Sequence, residues 1–233
     1  MQFERYEIHI WHQDLALSSA EEKEKTQLLS LDEKARASRF RFPIHRRRFI
    51  AARSFLREIL GLYLNISPAE VHFSYNEHRK PAISHPTLHF NLAHSNDIAV
   101  VALTQQFDIG VDIEKLQDDY KENLAKRFFN AKEYAALMNL PAQERISGFF
   151  RLWSRKEALI KAIGKGLNIP LSSFAVSLQD RETISFDNIS WTLLSITIDP
   201  QYQSAVASNQ PIEKISYWRF FNQTPQLERV SSR

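Results

Sequence analysis

Cysteine is absent from the 233 residues. Its absence excludes disulfides, thiolate metal sites and cysteine nucleophiles together. Any metal must therefore take oxygen or imidazole ligands, which brings hard cations forward. No apolar run approaches the roughly 18 residues that span a bilayer. Met1-Gln2-Phe3-Glu4-Arg5 lacks a signal-peptide pattern, so the expectation is a cytoplasmic protein without membrane contact. Zinc-finger spacing, RNP-like aromatics and a long basic tail are also missing, which argues against nucleic acid as a partner. What the chain does have is a 43% hydrophobic content with sixteen Phe, enough for a substantial core in one large domain or two small ones. The net charge of +3 is mildly basic, and Arg36, Arg39, Arg41, Arg46, Arg47, Arg48, Arg53 and Arg57 concentrate it. Such a cluster suits an anionic partner, or an ordinary solvated helix face.

Tyr6 to Trp11 alternates as a strand, Glu21 to Phe40 reads as one charged amphipathic helix, and His45 to Leu64 as a second. After Ser67-Pro68, short strands are predicted at 71–75, 89–93, 99–104 and 109–114. Helices follow at 120–129, 131–139 and 142–163, then strands at 174–178, 191–198, 204–207 and 215–221. Helices then strands, twice, predicts an α+β protein of two similar α/β halves, 1–108 and 109–233. No glycine- or serine-rich linker separates them.

The most informative residue is a carboxylate on an apolar helix face. At 3.6 residues per turn, Ile146, Phe149, Phe150, Trp153 and Ile160 form one stripe, and Glu157 falls inside it. Leaving it unpaired in low dielectric costs several kcal/mol, against the ~0.3–0.5 kcal/mol that an exposed contact with Lys161 returns. A metal or ligand is the natural counterpart. In Ile109-Gly110-Val111-Asp112-Ile113-Glu114, strand alternation sends Gly110, Asp112 and Glu114 to one face. The two carboxylates stand about 7 Å apart, with the glycine leaving room beside them. With Glu157 they suggest a three-carboxylate Mg²⁺ site that keeps positions open for water and phosphates. Basic groups accompany them: the arginines of 36–57, Lys80 before Pro81, His94 at a strand end, and Lys161. Cations beside a divalent-metal site are the chemistry of a polyphosphate ligand. Gly164 and Gly166 are expected to end the helix, and Gly-Lys-Gly is not a P-loop because it follows a helix and lacks the upstream glycine.

Lys80-Pro81, Phe90-Asn91-Leu92-Ala93-His94-Ser95, Ile109 to Glu114, Arg127-Phe128-Phe129 with Glu133, and Trp153 to Leu167 together resemble the 4′-phosphopantetheinyl transferases of the surfactin-synthetase-activating type. The matches keep the family's order across roughly residues 30–175. The resemblance implies transfer of phosphopantetheine from coenzyme A to a serine of an apo acyl- or peptidyl-carrier protein, releasing adenosine 3′,5′-bisphosphate. It implies two pseudo-symmetric α/β halves with the active site between them, sufficient as a monomer. By the same likeness Asp112, Glu114 and Glu157 are Mg²⁺ ligands. Lys80, Pro81, Ala93 and His94 fall at coenzyme-A-contacting positions, and Arg36 and Arg48 near the 3′-phosphate. Glu157, or a water it orients, would take the serine proton, and Lys161 would contact the departing phosphate. Phe128 and Phe129 are placed near the carrier-docking surface, although adjacent Phe residues more often belong to a core. One departure is visible: Ala93 stands where the family usually has Ser. A backbone amide would have to replace the lost hydroxyl, at about 0.5–1.5 kcal/mol. The alternatives are a non-enzymatic anion binder with a polar core, and another Mg²⁺-dependent transferase with a nucleotide substrate.

Overall fold

Two serine-led caps break what the charge pattern predicts as one helix over 21–40. In the computed structural model, which describes residues 1–117, 122–221 and 224–228, strand β1 (Glu7–Asp14) leads into α1 (Ser19–Gln27) and then α2 (Leu31–Ser38). Ser18 Oγ accepts from Glu21 N at 3.3 Å while Glu21 accepts from Ser18 N at 2.8 Å. Ser30 N donates to Glu33 Oε2 at 3.0 Å, so a fresh helix start follows Leu28 and Leu29. Helix α3 (Pro43–Leu64) begins with Pro at its first turn, where the missing N–H costs nothing, and closes on Asn65 in the left-handed region at φ 55°.

The chain continues through β2 (Phe73–Tyr75), β3 (Pro81–Ile83), β4 (Leu88–Ser95), β5 (Ile98–Gln105) and β6 (Ile109–Lys115). Helices α4 (Glu122–Phe128), α5 (Ala131–Met138) and α6 (Arg145–Ile163) follow. The predicted start of α4 at Tyr120 lies outside the described residues. Strands β7 (Arg181–Phe186), β8 (Ile189–Ile196), β9 (Tyr202–Ser208), β10 (Lys214–Phe221) and β11 (Thr224–Glu228) complete the chain. The predicted strand at 174–178 is not one, because side chains take its backbone groups: Phe174 O accepts from Lys156, and Val176 N and Ser177 N donate to Glu133 and Glu182. The alternating strand β7 just beyond it was missed.

Among the described residues, one sheet has the order β11-β10-β1-β5-β4, another β6-β9-β8-β7, and β2 and β3 form a hairpin. The sheets do not divide at a single point of the chain. β10 returns to lie parallel to β1, from Glu7 opposite Lys214 to Trp11 opposite Trp218. Strand alternation gives each sheet two buried faces. Trp11, Val101 and Leu103 pack with Phe55, Leu56 and Ile59 of α3. Ile8, Ile10, Val100 and Ala102 meet Val111, Ile113 and Val206 of the other sheet. Leu193, Ala205 and Ala207 pack under Leu159 and Ala162 of α6. The layers therefore run α3, sheet, sheet, α6: an α+β architecture of two α/β halves. None of the described helices is long and apolar enough to cross a membrane.

Candidate active site

Strand β6 and helix α6 meet where Gly110 faces the helix backbone. A Cβ there would lie 2.0 Å from Ala158 O and 2.3 Å from Ala162 N, so only glycine permits this approach. The room expected for a ligand is taken by the helix itself. Two residues further along the same face, Asp112 is buried, and Lys161 of α6 donates to its Oδ1 at 2.5 Å. Its Oδ2 is buried without a hydrogen-bond partner. Glu114 accepts from Ser95 Oγ of β4 at 3.2 Å. Glu157 is half-buried rather than in the core, and lines a cavity of about 210 Å³ with Lys161, Lys80, Pro81, Asn91 and Leu92.

The electrostatics follow from this crowding. Burial raises Asp112, only partly offset by Lys161. Burial first, then the charges of Asp112 and Glu157, push Glu114 up to about 7. Burial and then Asp112 raise Glu157 in the same way. Three carboxylates thus oppose one another's ionisation with one nearby ammonium to compensate, which is the situation a divalent cation relieves.

Further basic groups lie near Lys161. His94 keeps access to solvent but is crowded enough that desolvation, then the charges of Lys161, Arg48 and Arg36, lower its pKa. Residues far apart in sequence are thereby gathered around one imidazole. Arg48 is steadied by Asp97 at 2.5 Å, and Arg36 stacks over Phe49 at 5.1 Å. Much of the remaining arginine cluster serves the fold: Arg46 and Arg47 bond Glu22, while Arg53 and the fully buried Arg57 bond Glu33.

Lys80 lines the cavity and also braces the fold, while Ala93 belongs to the core. Lys80 Nζ donates to Ala162 O at 2.9 Å and Asn76 Nδ2 to Gly164 O at 2.9 Å, so the β2–β3 hairpin grips the C-terminal end of α6. A cation there complements the helix dipole. Pro81 beside it lines the cavity, and Gly164 ends the helix in the left-handed region at φ 76°. Ala93 is buried in the core between the sheets, opposite Val100 of β5 and in the cluster that includes Val111 and Ile113.

Sequence reasoning missed the deepest charges on α6, which are Arg155 and Lys156. Lys156 bonds Glu133 at 2.5 Å and Phe174 O at 2.7 Å, and Arg155 bonds Glu182 at 2.6 Å. The available signal was Asn130-Ala131-Lys132-Glu133, a helix cap whose glutamate reaches back to Asn130 N. Phe129 is also interior, its ring tilted against that of Phe149 at 5.2 Å, which removes it from any docking surface.

The donor set suits Mg²⁺. Oxygen ligands are all that Asp112, Glu114 and Glu157 offer, and the orphaned Asp112 Oδ2 is a ready first ligand. Among the described residues no three histidine, aspartate or glutamate side chains are grouped so that they could hold a metal ion by themselves. Mg²⁺ is compatible with that, since it usually keeps several waters and takes one or two carboxylates plus substrate phosphates.

Carboxylates that crowd one another, the Lys161 ammonium beside them and a cavity lined by Glu157 and Lys161 mark the candidate site. A family model described as "4'-phosphopantetheinyl transferase, N-terminal" matches residues 17–106, and one described as "4'-phosphopantetheinyl transferase superfamily" matches 108–213. HetI of Nostoc sp. is 39% identical over 207 residues, covering 86% of this chain and 87% of its own. Psf-1 of Bacillus pumilus is 35% identical, covering 78% and 80%. Sfp of Bacillus subtilis is 31% identical, covering 86% and 91%. All three are named as 4'-phosphopantetheinyl transferases. The chain belongs to the 4′-phosphopantetheinyl transferase superfamily and is of the Sfp type. It is an enzyme that moves 4′-phosphopantetheine from coenzyme A to carrier proteins.

Proposed function

We propose that the site between the two halves carries out this transfer with Mg²⁺, onto the serine hydroxyl of an apo acyl- or peptidyl-carrier protein, releasing adenosine 3′,5′-bisphosphate. The observation that carries the reading is the mutual crowding of Asp112, Glu114 and Glu157 beside Lys161, with the charges of Lys161, Arg48 and Arg36 acting on His94. Asp112 and Glu157 would hold Mg²⁺, with Glu114 directly or through water. The ion supplies neutralisation of the charge that grows as the pyrophosphate bond breaks.

The remaining work falls to the chain's own groups. Arg36 and Arg48 attract the 3′-phosphate of coenzyme A. His94, whose pKa is lowered by burial and then by its cationic neighbours, hydrogen-bonds the nucleotide as donor or acceptor according to its tautomer. Lys161 stabilises the departing phosphate through its ammonium. Glu157, whose raised proton affinity suits a base better than an ordinary glutamate, takes the serine proton directly or through an oriented water. Lys80 contributes by fixing the end of α6, and the Lys80–Pro81 backbone flanks the cavity. All of these residues belong to one chain, so a monomer suffices, and its place of action is the cytoplasm.

Incubation with coenzyme A, Mg²⁺ and an apo carrier, followed by mass spectrometry of the carrier, should show the phosphopantetheine increment, and EDTA should abolish it. An increment that survives EDTA would remove the metal from the mechanism. A chain that binds anions but modifies none of several carriers would favour the binding-protein alternative.

A further inference from the structure

Two side chains replace a backbone ladder between the edges of the two sheets. Asn91 and Ser95 are four residues apart on one side of β4, and Val111 and Lys115 are four apart on β6. Val111 N donates to Asn91 Oδ1 at 2.9 Å, and Lys115 N donates to Ser95 Oγ at 3.1 Å. The offset is the same at both ends, so the pair fixes β4 and β6 as parallel neighbours in one register. The backbone ladder of β6 is meanwhile with β9. Between the two clips Ala93 offers no side-chain acceptor.

The second clip reaches the site. A serine hydroxyl has one hydrogen and two lone pairs. With Lys115 N–H occupying a lone pair, the hydrogen of Ser95 is free for Glu114, whose Oε2 it meets at 3.2 Å. One glutamate oxygen is thereby anchored. We propose that Ser95 is a positioning residue for Glu114: it sets the carboxylate's orientation from the opposite half of the molecule, so that joining the halves and preparing the metal site are one act. The inference rests on the Mg²⁺ reading above, and concerns a hydroxyl that touches neither substrate nor ion.

The test measures metal binding itself. Mn²⁺ uptake by the full chain is followed by electron paramagnetic resonance at one fixed coenzyme A concentration, with free coenzyme A as the blank. Ser95→Ala should weaken Mn²⁺ binding by about tenfold or more, the usual scale for losing a partner that orients a metal ligand, while Ser95→Thr should stay within about threefold. In a Glu114→Gln background, Ser95→Ala should have no further effect, because the route through the carboxylate is already gone. Melting temperatures identify any variant whose fold is weakened. If alanine is one, Ser95→Cys keeps the volume with a poorer donor and should still bind Mn²⁺ more weakly. A wild-type protein that takes up no Mn²⁺ would overturn the metal reading and this inference with it. A wild-type protein that binds while Ser95→Ala or Ser95→Cys binds equally would overturn the inference alone. So would a further loss when Ser95→Ala is added to Glu114→Gln.

Discussion

Glu114→Gln should stabilise the metal-free protein, in a pH window set by the site. Burial, Asp112 and Glu157 raise Glu114 from an ordinary 4.5 to about 7, so between those values the native state holds a proton that the unfolded chain has released. Stability therefore falls as pH rises from about 4.5 to 7, and the cost is fully present above 7. A shift of that size corresponds to about 3 kcal/mol, and partial solvent access brings the expected net to about 1–3 kcal/mol. Glutamine has nearly the same volume, cannot ionise, and still accepts from Ser95. In EDTA at pH 8 the variant should melt higher by about 2–4 °C per kcal/mol for a chain of this size. At pH 4.5 and below, where both side chains are neutral, the two curves should coincide. Mg²⁺ should then close the gap at pH 8 by stabilising the wild type more than the variant. Thermal denaturation followed by circular dichroism at the two pH values reads all of this. A variant less stable than wild type at pH 8, or equally advantaged at both pH values, would refute the account of Glu114 as a strained anion.

Glu157→Gln should nearly abolish phosphopantetheine transfer while leaving the melting temperature near wild type; wild-type turnover would remove Glu157 from the chemistry. Gly110→Ala should cost about 1–3 kcal/mol or more in urea unfolding, because its methyl has only the α6 backbone to move against. An unchanged midpoint would show that the helix can retreat freely. Lys156→Met leaves Glu133 buried opposite no cation and should cost about 3–5 kcal/mol, with Glu133→Gln in the same chain recovering part of it. A loss below about 1 kcal/mol would mean that water replaces the ammonium.

Local rules carried the sequence reading a long way. The period-2 pattern at 109–114 put Gly110, Asp112 and Glu114 on one face, and the structure keeps them there against α6. Glycine at the end of α6 is also where the left-handed turn falls. What periodicity does not reveal is the surface that will cover a face. Gly110 reads equally well as space for a ligand or for a helix backbone, and only the packing of two distant segments decides. The strand expected at 174–178 failed for the same reason: its extended backbone is hydrogen-bonded, but to side chains of buried ion pairs that a linear pattern does not announce. Strand β10 beside β1 is a contact across some two hundred residues, invisible to any local window.

The carboxylate on α6 illustrates how burial and availability differ. Arg155, Lys156 and Glu157 are consecutive, so successive side chains leave the helix about 100° apart. The first two point into protein and are committed, Arg155 to Glu182 and Lys156 to Glu133. The Lys156–Glu133 pair is essentially without water and Arg155 is itself fully buried, and breaking such pairs is costly, so they fix the rotation of α6 about its axis. That rotation is what turns Glu157 and Lys161 toward β6 and the cavity. The charge that looked misplaced from the sequence is the least buried of the three. Its neighbours, unremarked in an apolar pattern, determine where it points.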